Sequence, residues 1–155
     1  MSDPLGKVLS AEHAAVYAYG VIGGKTDGAL RSKATAGFDA HRARRDRLRA
    51  LIVQRGGTPP EPGPTYALPF EVKNQSDAVR LAALIEERVV TAYLELAADK
   101  DASLRRLAAQ AMQEGATRAY GWQPTVDAFP GMPAEMTSGS PPVKTEPTPV
   151  PAVPQ

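Results

Sequence analysis

The chain has 155 residues, with 18 Lys+Arg against 17 Asp+Glu and a formal net charge of +1, so its overall charge points to no polyanionic partner. The absence of cysteine excludes disulfides, thiolate metal sites and cysteine nucleophiles together. At 43% hydrophobic and 23% charged residues the composition is that of one globular domain. No basic leader precedes an apolar run, and no apolar stretch is long enough to span a bilayer, so the expectation is a cytoplasmic protein without membrane association.

The 15 prolines partition the chain. Two windows, 5–58 and 70–123, contain none, and helix interiors must lie there because proline lacks an N–H and clashes with the preceding turn. In the first window Leu5, Val8, Glu12, Ala15, Val16, Tyr19 and Ile22 recur at helical spacing until Gly23–Gly24. Asp27 is a natural N-cap for a second helix carrying Ala34, Phe38, His41, Leu48, Leu51 and Ile52, which Gly56–Gly57 ends. In the second window Ser76 or Asp77 is the expected N-cap of a helix with Val79, Ala82, Glu86, Val89, Val90, Tyr93 and Ala97. A polar break at 99–103 precedes a fourth stripe of Leu104, Leu107, Ala108, Ala111, Glu114, Thr117, Gly121 and Trp122.

Connection lengths choose the topology. The first and last connections are short and make helical hairpins, whereas the stretch from Gly56 to about Gln75 can run the length of a helix. The expected fold is an all-α four-helix bundle with one long crossover. Tyr66, Leu68 and Phe70 are placed to lie on its surface. The bundle domain is expected to span 1–136. Residues 137–155 form a Pro-rich tail without hydrophobic period, expected to be disordered with polyproline II character.

The two windows match one another. AEHAAVYAYGVI from Ala11 sets Glu12 on Glu86, Val16 on Val90, Ala18 on Ala92 and Tyr19 on Tyr93 of IEERVVTAYLEL from Ile85. Setting FDAH on EGAT places Phe38 on Glu114 and His41 on Thr117. The hairpins read as two copies of one unit.

These residues resemble the ferritin-like superfamily, and the texture of AEHAAVYAYG is similar to a small actinobacterial ferritin-like family of unknown function. The resemblance covers residues 5 to about 123. It implies a di-iron site built from one Glu on each of two helices and a Glu-x-x-His on each of the others. Carried over, it makes Glu12, His41, Glu86 and Glu114 the candidate metal ligands. Phe38 replaces one bridging Glu and Thr117 one His, so at most one Fe or Mn position is expected, on Glu12, His41 and Glu114. Two metal-free solutions stand beside it. An inward arginine, Arg45 or Arg118, replaces the metal, or the acids are protonated and bond to one another, Tyr19, Tyr93 or Thr117. Glu86 rather than Glu87 faces the site, His13 lies at the surface or an interface, and Trp122 packs the bundle end.

The functional expectation is a degenerate, at most single-metal protein that works as a binding or structural module rather than an iron store. The alternative is a small mononuclear Fe or Mn oxidoreductase handling oxygen or peroxide. A homodimer through helix faces is expected. Helix two carries eight Lys/Arg from Arg31 to Arg55 against Asp39 and Asp46, read as a solvated face rather than a nucleic-acid surface because no aromatics interleave.

Overall fold

The computed structural model describes residues 3–125. The expected Pro-rich tail at 137–155 lies outside them. Four helices account for the described chain, α1 (Pro4–Gly24), α2 (Gly28–Gln54), α3 (Gln75–Ala97) and α4 (Ala102–Trp122), with no strand among the described residues.

Their boundaries follow local chemistry. Pro4 opens α1 at a position where its missing N–H is no loss. Asp27 occupies the N-cap position of α2, directly before Gly28 at φ 50°. Gly56, at φ 79°, turns the chain out of α2 in a conformation that a side chain would resist. The N-cap of α3 is Asn74, whose side chain accepts from the Asp77 N–H; Ser76 and Asp77 lie inside the first turn. The expected cap was two or three residues late. Asp101 caps α4 by accepting from Ser103 N–H.

α1 packs on α2 and α3, and α3 packs on α4. The core between them is filled by Leu9, Ile22, Leu48, Leu81, Val89 and Leu96, all essentially without solvent exposure. Each such side chain contributes roughly 1.5–3 kcal/mol on burial. α2 and α4 meet along a seam bridged by side chains, with Arg55 on Asp101 and Lys33 Nζ donating to the Gly121 carbonyl at 2.8 Å.

Residues 55–74 join α2 to α3, and several of their side chains pack on the helices. Tyr66 meets Tyr17 of α1 with centroids 5.5 Å apart, and Arg80 of α3 stacks over Phe70 at 4.1 Å. Leu68 and Phe70 are half-buried and Val72 is buried against the core. This segment also covers His13, which is buried rather than superficial, its Nε2 3.2 Å from the Pro60 carbonyl. Burial, with Arg45 and Arg49 nearby, holds its pKa below the ordinary imidazole value.

A buried imidazole between two carboxylates

Midway along the bundle, three ionisable side chains without solvent exposure converge: Glu12 of α1, His41 of α2 and Glu86 of α3. His41 stands between the acids. Its Nδ1 lies 2.6 Å from Glu12 Oε2 and its Nε2 3.1 Å from Glu86 Oε1, both at hydrogen-bonding distance. With both acids ionised, bridging them takes two N–H donors, which only the imidazolium has, and contact with the two acids favours that form.

Each carboxylate has a tyrosine and an arginine besides. Glu12 Oε1 accepts from Tyr93 at 2.7 Å and from Arg44 Nη1 at 3.3 Å. Glu86 Oε1 accepts from Tyr19 at 2.5 Å and from Arg118 Nε at 2.8 Å. Three groups thus converge on this one oxygen, which favours the ionised form of Glu86. Tyr93 of α3 thus reaches the acid of α1 and Tyr19 of α1 the acid of α3, which ties the two helices across the core. Trp122 Nε1 donates to the Tyr19 hydroxyl at 3.0 Å and closes the end of the chain of bonds.

Close approach of the helices makes this possible. Gly37 lies where a Cβ would sit 2.2 Å from the Tyr19 ring, and Gly115 where one would sit 2.9 Å from Val90 and 3.6 Å from Glu86 Oε2. Glycine at these two helical positions is a packing requirement.

Of the four expected ligands, Glu12, His41 and Glu86 meet at the centre, and Glu86 rather than Glu87 faces inward, as its place in the stripe predicts. Glu114 does not join them: its side chain is 56% exposed, at the α2–α4 seam, where it pairs with Arg44 and lies 3.9 Å from Arg118 Nη1. Thr117 is exposed and donates to the Gln113 carbonyl. The inward line of α4 runs through Ala111, Gly115, Arg118 and Trp122, one residue out of phase with the expected Glu114 and Thr117. Phe38 is half-buried against the core, with Arg42 at 5.5 Å over its ring.

Arg118 is inward as foreseen, but Arg45 is not. Arg45 pairs with Asp46 outside, and Arg44 enters the core. Sequence reasoning missed Arg44, although a signal existed: Arg44 precedes Arg118 by the interval that separates Glu12 from Glu86 and Tyr19 from Tyr93.

The electrostatics follow from these contacts. Burial alone would lower the His41 pKa, but bonds to Glu12 and Glu86 and their charges outweigh it and raise it. Burial alone would raise that of Glu86, and His41, Arg118 and Tyr19 together bring it below the ordinary value. Burial, then the adjacent carboxylates, push both tyrosines far above the usual phenol range, so they stay protonated donors.

A pH dependence of stability is therefore predicted, with opposite signs from the two groups. The raised His41 contributes stability that is complete below about 6.5 and lost as pH rises through its folded value. The lowered Glu86 contributes stability that is complete above about 4.5 and lost as pH falls through its folded value. The melting temperature should be highest between these values, and replacing His41 with Gln should flatten the alkaline limb. An unchanged alkaline limb in His41→Gln would count against the imidazolium.

Both His41 nitrogens face carboxylate oxygens and a guanidinium stands beside each acid, whereas Glu86 Oε2 is buried without a hydrogen-bond partner. Among the described residues no group of three or more His, Asp or Glu is disposed to hold a metal ion. None of the described helices is long and apolar enough to cross a membrane.

Fold and site define an all-α protein organised around a charge-paired, hydrogen-bonded core. The chain belongs to the family described as "Domain of unknown function (DUF4439)", which it matches over residues 4–134. It is similar to the crystal structure of a conserved hypothetical protein, rv2844, from Mycobacterium tuberculosis, with 30% identity and a TM-score of 0.75. That similarity covers 79% of this chain and 94% of the other. No curated protein matches the chain.

Proposed function

We propose that this chain is a ferritin-like protein whose metal centre has given way to cationic side chains, and that it acts as a binding or structural module rather than an iron store. The observation that carries this is the double engagement of His41 by Glu12 and Glu86, with Arg44 and Arg118 on the same acids. Imidazolium and guanidinium groups here supply the positive charge that buried carboxylates require. The mononuclear Fe or Mn oxidoreductase needs Glu12, His41 and Glu114 around one ion, and the outward position of Glu114 speaks against it.

The reading includes a single crossover at residues 55–74, a duplicated hairpin, a homodimer through helix faces and a cytoplasmic location. Duplication is supported by three pairs at one sequence interval, Glu12 with Glu86, Tyr19 with Tyr93 and Arg44 with Arg118. The N-cap positions Asp27 and Asp101 share it. This register sets His41 on Gly115 and Phe38 on Met112, in place of the Thr117 and Glu114 first aligned with them. One imidazole then serves both halves.

Elemental mass spectrometry on the full chain, after aerobic incubation with Fe(II) and separately with Mn(II), tests the proposal. Metal far below one ion per chain is expected. A stoichiometry near one that disappears in Glu114→Ala would support the oxidoreductase instead, and a value near two would restore a di-iron centre.

A further inference from the structure

The cations of the centre outnumber its buried anions. Glu12 and Glu86 carry two negative charges, whereas Arg44, Arg118 and the doubly bonded His41 carry three positive ones. The surplus is met by Glu114, whose position differs from that of the other acids. Its carboxylate sits in the seam between α2 and α4, more than half exposed, against guanidinium groups whose side chains are only 11% and 22% exposed. An ion pair with an exposed partner holds weakly, so Glu114 is an exchangeable counterion.

Two further observations point to what replaces it. Arg118 Nη2 is buried without a hydrogen-bond partner, as is Glu86 Oε2, so one arm of the Arg118 fork is used neither by Glu114 nor by Glu86. Arg118 also lines, with Gln110, Gln113, Glu114 and Thr117, an open pocket of about 490 Å³, ample for a small molecule. Guanidinium forks match the planar oxygens of a carboxylate or the oxygens of a phosphate, and the two glutamine amides are further donors.

We propose that Arg44 and Arg118 form a binding site for a small oxyanion, the carboxylate or phosphate group of a ligand, with Glu114 as the built-in carboxylate that holds the position until the ligand displaces it. The inference deepens the metal-free reading and rests on it, because a cation at the acids would reverse the charge arithmetic.

The test titrates the full chain with inorganic phosphate and separately with acetate at constant ionic strength, following the Arg118 Nε–H resonance by NMR. A saturable shift is expected in the wild type, with affinity up to about fivefold higher in Glu114→Gln, where the competing carboxylate is gone. The shift should vanish in Glu114→Gln/Arg118→Gln when followed at Arg44. Should that variant fail to fold, Glu114→Gln/Arg44→Lys keeps the charge beside Glu12, loses the fork, and should bind more weakly than Glu114→Gln. Saturation by phosphate alone assigns a phosphate group, and by acetate alone a carboxylate. No saturable response in folded wild type and Glu114→Gln, or affinity unchanged by either arginine substitution, overturns the site. Metal content is measured on the same samples: bound cation sinks the metal-free reading, whereas metal-free, unresponsive protein sinks the oxyanion site alone.

Discussion

Replacing His41 with leucine is expected to destabilise the protein by about 3–5 kcal/mol and to lower its melting temperature by roughly 10 °C or more. The reason is electrostatic rather than volumetric, since leucine occupies a comparable space. Without the imidazolium, Glu12 and Glu86 face one another across a site with no solvent exposure, each keeping one arginine and one tyrosine. Two partly compensated buried charges then remain, and removing one partner of a buried ion pair is the costly way to break it. Metal binding by the wild type would predict the same loss only with metal present. Thermal unfolding of both proteins with and without a chelator separates the two: the expected loss is the same in each condition.

The second large effect is expected at Glu86, and its sign reverses in combination. Glu86→Leu strands three donors that now converge on one oxygen, those of Tyr19, His41 and Arg118, and should destabilise by about 3–5 kcal/mol. Adding Arg118→Leu removes the stranded guanidinium, whose side chain is mostly buried. Apolar replacement of both members of a buried pair is often neutral or stabilising, so the double variant should recover about 1–3 kcal/mol relative to Glu86→Leu. Denaturant unfolding of the two single variants and the double measures this coupling. A double variant as unstable as the sum of the singles would show that Arg118 does not serve Glu86.

Much of this fold is legible in the residue pattern because proline and glycine are sharp punctuation. Pro59 and Pro69 bound the windows, Gly23–Gly24 and Gly56–Gly57 end α1 and α2, Asp27 marks the start of α2, and the polar break at 99–103 contains the start of α4. The stripe through Glu12, Tyr19, Glu86 and Tyr93 is legible for the same reason, since α1 and α3 are apolar enough for a polar inward residue to stand out. Their buried carboxylates and the tyrosines that bond them lie where the stripe puts them.

What the pattern hides lies on α2 and α4. Their surfaces are so rich in Arg, Ala and Gln that hydrophobic period defines the inward line only to within a residue. Arg44 and Arg45 differ by one step, and so do Glu114 and Gly115. A Glu-x-x-Thr read against Phe-x-x-His drew the inward line through Glu114, whereas close helix contact at Gly115 puts it one position further on. Glycine gives no hydrophobic signal, so an inward glycine is invisible to a period search. His13 was misplaced for a different reason: it is covered by the connector at Pro60, and a covering loop leaves no period in the helix beneath it.

The central claim is that an imidazolium, with two guanidinium groups, holds the acids of this core. The most direct measurement is the protonation of both His41 ring nitrogens by ¹⁵N NMR on the full chain at neutral pH. Nδ1 and Nε2 should both be protonated, and adding Fe(II) or Mn(II) should leave the resonances in place. A single unprotonated nitrogen at neutral pH, or paramagnetic loss of the His41 signals at one equivalent of metal, would contradict the account.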